Sequence, residues 1–385
     1  MNQTLVRRTL ILLAMAGFVS GATMRIAEPL IPRVSEEFGV TVAAAAIIVS
    51  LFTLAYGVFQ IVHGPLGDRF GRLPVVVLAL LLAAGASLGC AFADSLHVLA
   101  LFRFLTGMTT SAVIPLSLAF VADHIPYERR QAVLGRFISG ILLGQTFGPL
   151  LGGVFIDTIG WRGAFAVLAM CYFLMACLLW PRARSAVRPA AQSGSPVANY
   201  VEVLRSPWVR VVLVVVAFEG ALFFGALAYV GAYLKSAFTL DYSTIGLLLA
   251  GFGVGGVLYS VFVKRLLARL GERGLVLWGG VLLWLSMGAL CLVPRWWMQA
   301  PVMIVQGFGF YMLHNTLQTK ATEMAPRHRG TAISLFAFFL FVGQALGAAV
   351  LGLAIERLGF KAVLFAVGFF LCVLAFVFRR QLVRT

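Results

Sequence analysis

Apolar residues run along this chain in blocks of about 20, the length an α-helix needs to cross the hydrocarbon core of a bilayer. Twelve blocks are read, over 9–31, 43–65, 74–93, 97–121, 132–155, 163–181, 208–234, 243–267, 274–293, 296–319, 331–354 and 361–379. The predicted fold class is therefore an all-α polytopic membrane protein of twelve spans. One polar stretch, 182–207, is long enough to be a linker; there Pro, Ser, Gly and Arg displace the apolar run.

The pattern also repeats. Asp123-His-Ile-Pro126-x-x-Arg129 returns as Glu323-Met-Ala-Pro326-x-x-Arg329. Gly144-Gln145-x-x-Gly148 meets Gly343-Gln344-x-x-Gly347, and Asp157-x-x-Gly160-Trp161-Arg162 meets Glu356-x-x-Gly359-Phe360-Lys361. This predicts two pseudo-symmetric six-helix bundles, 1–181 and 208–385, joined by a cytoplasmic linker, 182–207. Halves of this kind generally enclose a binding site between them, which points to a transporter.

Composition sharpens the picture. The chain is 61% hydrophobic and 11% charged, with mean hydropathy +0.98, against roughly 25% charged for a soluble domain. The net charge of +16 is spread over alternate connections: Arg7 and Arg8, Arg69 and Arg72, Arg129 and Arg130, Lys264 and Arg265, Lys320 and Arg329, Arg379 and Arg380. Few basic residues fall on the other side (Arg33, Arg162, Lys235, Arg295, Arg357, Lys361). This positive-inside pattern predicts cytoplasmic termini and basic loops beside anionic headgroups, so the partner is the lipid bilayer and not nucleic acid. Arg7-Arg8 before an apolar stretch resembles a signal peptide, but cleavage would break the six-plus-six repeat, so the first helix is expected to be retained. Compact loops and high Arg, Ala and Gly usage suggest a bacterial inner (plasma) membrane protein, expected as a monomer.

Enzyme chemistry finds no foothold. The sequence has no GxxxxGK[ST], HExxH, GxSxG or paired CxxC, and no cofactor or metal is expected. The five cysteines all lie in apolar spans as small hydrophobes.

Three motifs carry function. Gly64-Pro65-Leu66-Gly67-Asp68-Arg69-Phe70-Gly71-Arg72 joins spans 2 and 3. It matches GxLxDRxGR, and here the chain resembles the major facilitator superfamily, with Leu73 where a basic residue is usual. The resemblance implies a conformational gate in which Asp68 latches onto the N-terminus of span 11; a carboxylate is favoured there. Leu99-x-x-x-Arg103-x-x-x-Gly107 in span 4 resembles the family's second motif, in which a buried arginine serves coupling. Span 5 carries Gly140, Gly144, Gly148, Pro149, Gly152 and Gly153, similar to the antiporter motif of the drug exporters. Glycines every four residues let a neighbouring backbone approach; span 11 has Ala348 and Leu351 where Pro149 and Gly152 stand.

Charged residues inside spans are functional candidates by default. Arg25 and Glu28 share a face of span 1 and lie at a depth comparable to Arg103, giving either a structural cluster or one linked to substrate or proton. Glu219 in span 7 lies about 16 Å deep at 1.5 Å per residue and is the candidate principal proton site. Spans 1, 4, 7 and 10 line the cavity in the facilitator fold, so the resemblance groups Arg25, Phe218, Tyr311, His314, Asn315 and Gln318 as cavity residues, and Glu219, Glu28 and Arg103 as proton-coupling residues. Alternating-access, proton-coupled efflux of a small lipophilic or amphipathic compound is the leading expectation. A carrier for a small neutral or anionic metabolite and a non-transporting sensor of the same fold remain open.

Overall fold

The computed structural model describes residues 3–184, 196–326 and 328–382. Its elements are α1 (Gln3–Arg25), α2 (Ile31–Phe38), α3 (Val42–Ala45), α4 (Ile47–Phe70), α5 (Arg72–Ala91), α6 (Leu96–Thr110), α7 (Val113–His124), α8 (Tyr127–Arg184), α9 (Pro196–Arg205), α10 (Pro207–Glu219), α11 (Gly225–Phe238), α12 (Tyr242–Leu292), α13 (Gln299–Glu323), α14 (Arg329–Leu358) and α15 (Phe360–Gln381). Nine helices among the described residues are long and apolar enough to cross a membrane. Two of these, α8 and α12, are each a pair of spans folded at Gly160 and Gly271. One more pass is α13, whose Gln, His, Asn and Lys residues lower its hydropathy. The chain thus passes twelve times, and an even number of passes returns it to the face where it began.

Within each set of three spans, the second turns into the third at a single glycine. Gly71, Gly160, Gly271 and Gly359 have φ of 94°, 76°, 63° and 81°, with ψ of 145° at Gly71 and 161° at Gly359. A side chain is strongly disfavoured in that region, so these hinges need glycine.

The repeat seen in sequence is a repeat of packing. Span 5 lies on span 1 so closely that a Cβ at Gly144 would sit 2.1 Å from the Phe18 carbonyl oxygen. Span 11 lies on span 7 in the same way, Gly343 facing the Ala217 oxygen at 2.1 Å and Gly347 the Ala221 oxygen at 2.0 Å. Close backbone approach of this kind gives van der Waals contact where lipid tails supply no hydrophobic driving force between helices.

Several spans are interrupted. Helix α1 stops at Arg25 and turns over residues 26–30 before α2 begins. Pro29 and Pro32 explain it: neither can donate to the carbonyl four residues back. Span 4 breaks at Ser111–Ala112, and span 7 contains a π-helical turn at Gly220–Phe224 directly after Glu219. Part of the linker is helical. Helix α9 buries Val203, and Glu202 meets His328 at 3.3 Å beside the start of span 11. Residues 185–195 of the linker lie outside the described residues.

Candidate functional site

Between the halves lies a cavity of about 660 Å³. Its wall includes Arg25 and Glu28 from span 1, Gln145 from span 5, Phe224 from span 7, Gly256 from span 8, and Phe310, Tyr311, His314, Asn315 and Gln318 from span 10. Ile138, Ser139, Val257 and Ser260 also line it. These stand toward the ends of spans 5 and 8 that carry Arg129, Arg130, Lys264 and Arg265, so the cavity opens on the face of those basic connections.

The opposite face is sealed by contacts between halves. A Cβ on Gly153 would meet the Tyr242 oxygen at 2.1 Å, and one on Gly246 the Pro149 oxygen at 2.4 Å. Asp157 accepts from the backbone N–H of Ser243 at 2.7 Å, from its hydroxyl at 2.6 Å and from the Tyr242 N–H at 3.4 Å. A carboxylate from one half thus caps the N-terminus of α12 in the other, where unpaired N–H groups and the helix dipole favour negative charge. Asp241 caps the same helix from its own chain end through the Thr244 N–H at 3.1 Å, and its hydrogen bonding with Thr244 holds its carboxyl below the usual range. Nearby, Glu37 accepts from Trp161 Nε1 at 2.6 Å and pairs with Arg162. Partial burial acts against ionisation of Glu37, but those hydrogen bonds and charges hold its carboxyl below the ordinary range.

At the sealed end of the cavity Arg25 and Glu28 form a bidentate pair, with Nε to Oε1 at 2.8 Å and Nη2 to Oε2 at 2.7 Å. The guanidinium lies over the Phe252 ring, 4.9 Å from its centroid. Both residues are buried, and the Glu28 carbonyl packs against Gly231 of span 7.

Arg103 does not join them. It is fully buried away from the cavity wall, donating to the Ile48 oxygen at 3.1 Å and the Thr23 oxygen at 3.5 Å, with the Phe52 ring 4.1 Å below it. The three-membered cluster anticipated from depth alone is therefore split, because Arg103 is drawn to the carbonyls of Ile48 on span 2 and Thr23 on span 1.

Glu219 is wholly buried behind His314, whose Nδ1 lies 2.8 Å from its Oε2. The other oxygen, Oε1, has no hydrogen-bond partner among the described residues. His314 stacks on Phe310 at 4.9 Å and presents its remaining edge to the cavity. The contact is made either by an Nδ1–H imidazole donating to the carboxylate or by a protonated carboxyl donating to Nδ1.

Two further placements differ from expectation. Phe218 faces outward from span 7, 55% exposed, since one residue's rotation from Glu219 turns it about 100° away; Phe224 takes the expected place on the wall. Asp68 does not reach span 11: among the described residues it pairs with Arg72, which also meets Asp123 at 3.4 Å. Arg72, the first residue of α5 just past the Gly71 turn, is simply nearer. Most of the span 5 stripe (Gly140, Gly144, Gly148, Gly152) serves span 1 of its own half, and only Gly153 and the Pro149 carbonyl touch the other half. Gly64 meets nothing, and Gly67 abuts Leu116 and Arg72. Asp157, Gln344 and Phe341 were not singled out as site residues from sequence, although Asp157 and Gln344 stand inside the repeat.

The geometry is that of two bundles around a central cavity, open on one side. A sequence profile described as Major Facilitator Superfamily matches residues 13–243 and 220–384, nearly the whole chain in two overlapping halves. The chain belongs to the Major Facilitator Superfamily. Membership makes it a multi-pass membrane protein and a secondary transporter of small molecules, not an enzyme. Among its relatives in the superfamily, the inner membrane transport protein YnfM of Escherichia coli (strain K12) is 27% identical over 364 residues, covering 92% of this chain and 86% of that protein. The uncharacterized MFS-type transporter YceJ of Bacillus subtilis (strain 168) is 25% identical over 361 residues, covering 90% and 91%. In fold, the chain superposes on a bacterial homologue of the human lysosomal transporter Spinster, solved inward-facing and unoccupied, with TM-score 0.81 at 17% identity over 100% of this chain and 99% of that one.

Proposed function

We propose that this superfamily member is a proton-coupled exporter of small amphipathic compounds, working by alternating access in a bacterial inner membrane. The basic face is the cytoplasmic one by the positive-inside rule, so the cavity as it stands loads from the cytoplasm. The observation that carries the reading is the Glu219–His314 pair. Among the described residues it is the one acid–base couple in the spans with one member sealed from water and the other on the cavity wall.

A proton shared across this pair is kept while spans 7 and 10 stay together. Handing it on requires the two residues to part, and the π turn beginning at Gly220 gives span 7 the place to move. Proton release is thereby tied to a change in helix packing, which is the requirement for coupling. Cargo would rest among Phe224, Phe310 and Phe341, with Gln145, Asn315 and Gln344 supplying amide contacts. Return to the opposite state breaks the Asp157 cap and the Gly153–Tyr242 contact. In that state Asp68 is free to engage span 11 as the superfamily resemblance implies. Arg103 acts as a positioning residue that ties the Thr23 carbonyl of the interrupted span 1 to the Ile48 carbonyl of span 2.

The test is accumulation of fluorescent and antibiotic compounds in cells expressing wild type, Glu219→Gln or His314→Phe, with and without a protonophore. Lower accumulation only in energised wild-type cells supports the reading. Export by Glu219→Gln against a gradient driven by pH alone would refute it.

A further inference from the structure

The cavity wall has one permanent cation among its described residues, Arg25, and one acid, Glu28. The acid is already committed, since both its oxygens accept from Arg25. Glu219 is no substitute, because His314 stands between it and the cavity. A cationic compound entering here therefore finds no free carboxylate.

An anion meets a different situation. Glu28 occupies only the Nε–Nη2 edge of the guanidinium, and Nη1 has no hydrogen-bond partner among the described residues. The Phe252 ring covers one face of the group, and Arg25 is itself part of the cavity wall. A guanidinium presents its N–H groups in a planar fork that matches a carboxylate, so the free edge is a preformed seat for one. Apolar walls below it (Phe224, Phe310, Leu340, Phe341) suit an aromatic or alkyl body.

We propose that the cargo is an organic monoanion, a carboxylate on an apolar body, whose head group seats on the free edge of Arg25. This rests on the transport reading above and names the class of compound carried. It also fits the direction: an inside-negative membrane potential drives an anion outward. The seat lies where α1 ends and where the Glu28 carbonyl meets Gly231 of span 7, so a bound carboxylate touches the joint between halves at the sealed end.

The experiment is titration calorimetry on the purified full-length chain in detergent with three isosteric probes: 4-phenylbutyrate, 4-phenylbutyramide and 4-phenylbutylamine. Wild type is expected to bind the acid at least tenfold more tightly than the amide or the amine. Glu28→Gln leaves Arg25 uncompensated and should tighten the acid several-fold. Arg25→Gln should erase the acid-over-amide preference with the amide within twofold of wild type. Because Arg25→Gln strands Glu28, the double variant Arg25→Gln/Glu28→Gln is measured beside it and should show the same loss. Equal binding of acid and amide, tighter binding of the amine, a preference that survives in the double variant, or no binding of any probe would each overturn the proposal. Proton-driven export without acid preference would remove the cargo class and leave the coupling reading standing. Acid preference through Arg25, with export indifferent to Glu219→Gln, would do the reverse.

Discussion

Replacing Asp157 by Asn tests how the sealed face is held. The Asp157 carboxylate accepts from two donors of Ser243 at 2.6–2.7 Å and one of Tyr242 at 3.4 Å. Asparagine keeps one acceptor oxygen, loses the charge and turns an NH2 toward N–H donors. Hydrogen bonds to charged groups contribute about 1.5–3 kcal/mol, and a carboxylate at a helix N-terminus about 0.3–1 kcal/mol. Asp157 is exposed, so solvent screening brings the net loss down to about 1 kcal/mol. That corresponds to a roughly fivefold shift away from the sealed state, at 1.4 kcal/mol per factor of ten. Spin labels at Asp94→Cys and Arg295→Cys, on exposed loops of the two halves at this face, would report the distance distribution by pulsed electron resonance in a cysteine-free background. The population at long distance should rise about fivefold in Asp157→Asn and in Ser243→Ala. The double variant should rise by less than the product, since both remove one interaction. An unchanged distribution, or one shifted toward the sealed state, would refute the cap as the fastening.

Three further outcomes follow from the same structure. Gly144→Ala places a methyl 2.1 Å from the Phe18 oxygen and 3.0 Å from the Ala22 nitrogen; overpacking of this kind costs about 1–3 kcal/mol, so the melting temperature in detergent should fall, while Gly135→Ala, where nothing lies within 4 Å, should leave it unchanged. Arg103→Met strands the Ile48 and Thr23 carbonyls and should lower thermal stability, while ligand affinity in protein that remains folded stays within about threefold, because Arg103 is not on the wall; an affinity lost with the fold intact would contradict a positioning role. For Glu37, the folded-state carboxyl sits below its ordinary value, so its contribution is complete above about pH 4.3 and declines only as pH falls through the lowered value. The Trp161 fluorescence should hold steady from pH 7 to 5 in wild type, and Glu37→Gln should shift it at every pH.

Much of the fold was legible because bilayer length and the repeat are properties of the chain read linearly. The glycine stripe likewise announced a close helix contact. Which helix received it could not be read, since span 5 and span 1 are brought together only by the bundle. Depth from the surface placed Arg25, Glu28 and Arg103 at one level, yet depth says nothing of azimuth, and Arg103 turned toward the Ile48 and Thr23 carbonyls. The same missing angle misplaced Phe218. Glu219 could be picked out as a lone acid in an apolar span. Its partner His314 lies 95 residues away, and only their pairing distinguishes a sealed carboxyl from one facing the cavity. Asp157 looked like a repeat marker because its partners are backbone N–H groups, which leave no trace in side-chain identity.

The four glycine turns at Gly71, Gly160, Gly271 and Gly359 have a mechanical meaning. Each locks the second and third helices of a three-span block with no slack between them, so the molecule moves as four stiff tripods rather than as twelve rods. Strain produced by cargo or proton then has nowhere to dissipate at those knuckles. It must appear at the joints between tripods and at the places where a leg is already broken, residues 26–30, 111–112 and 220–224. Two of those three breaks begin next to Arg25 and Glu219, so the residues that would sense cargo and proton stand at the points where the scaffold can yield.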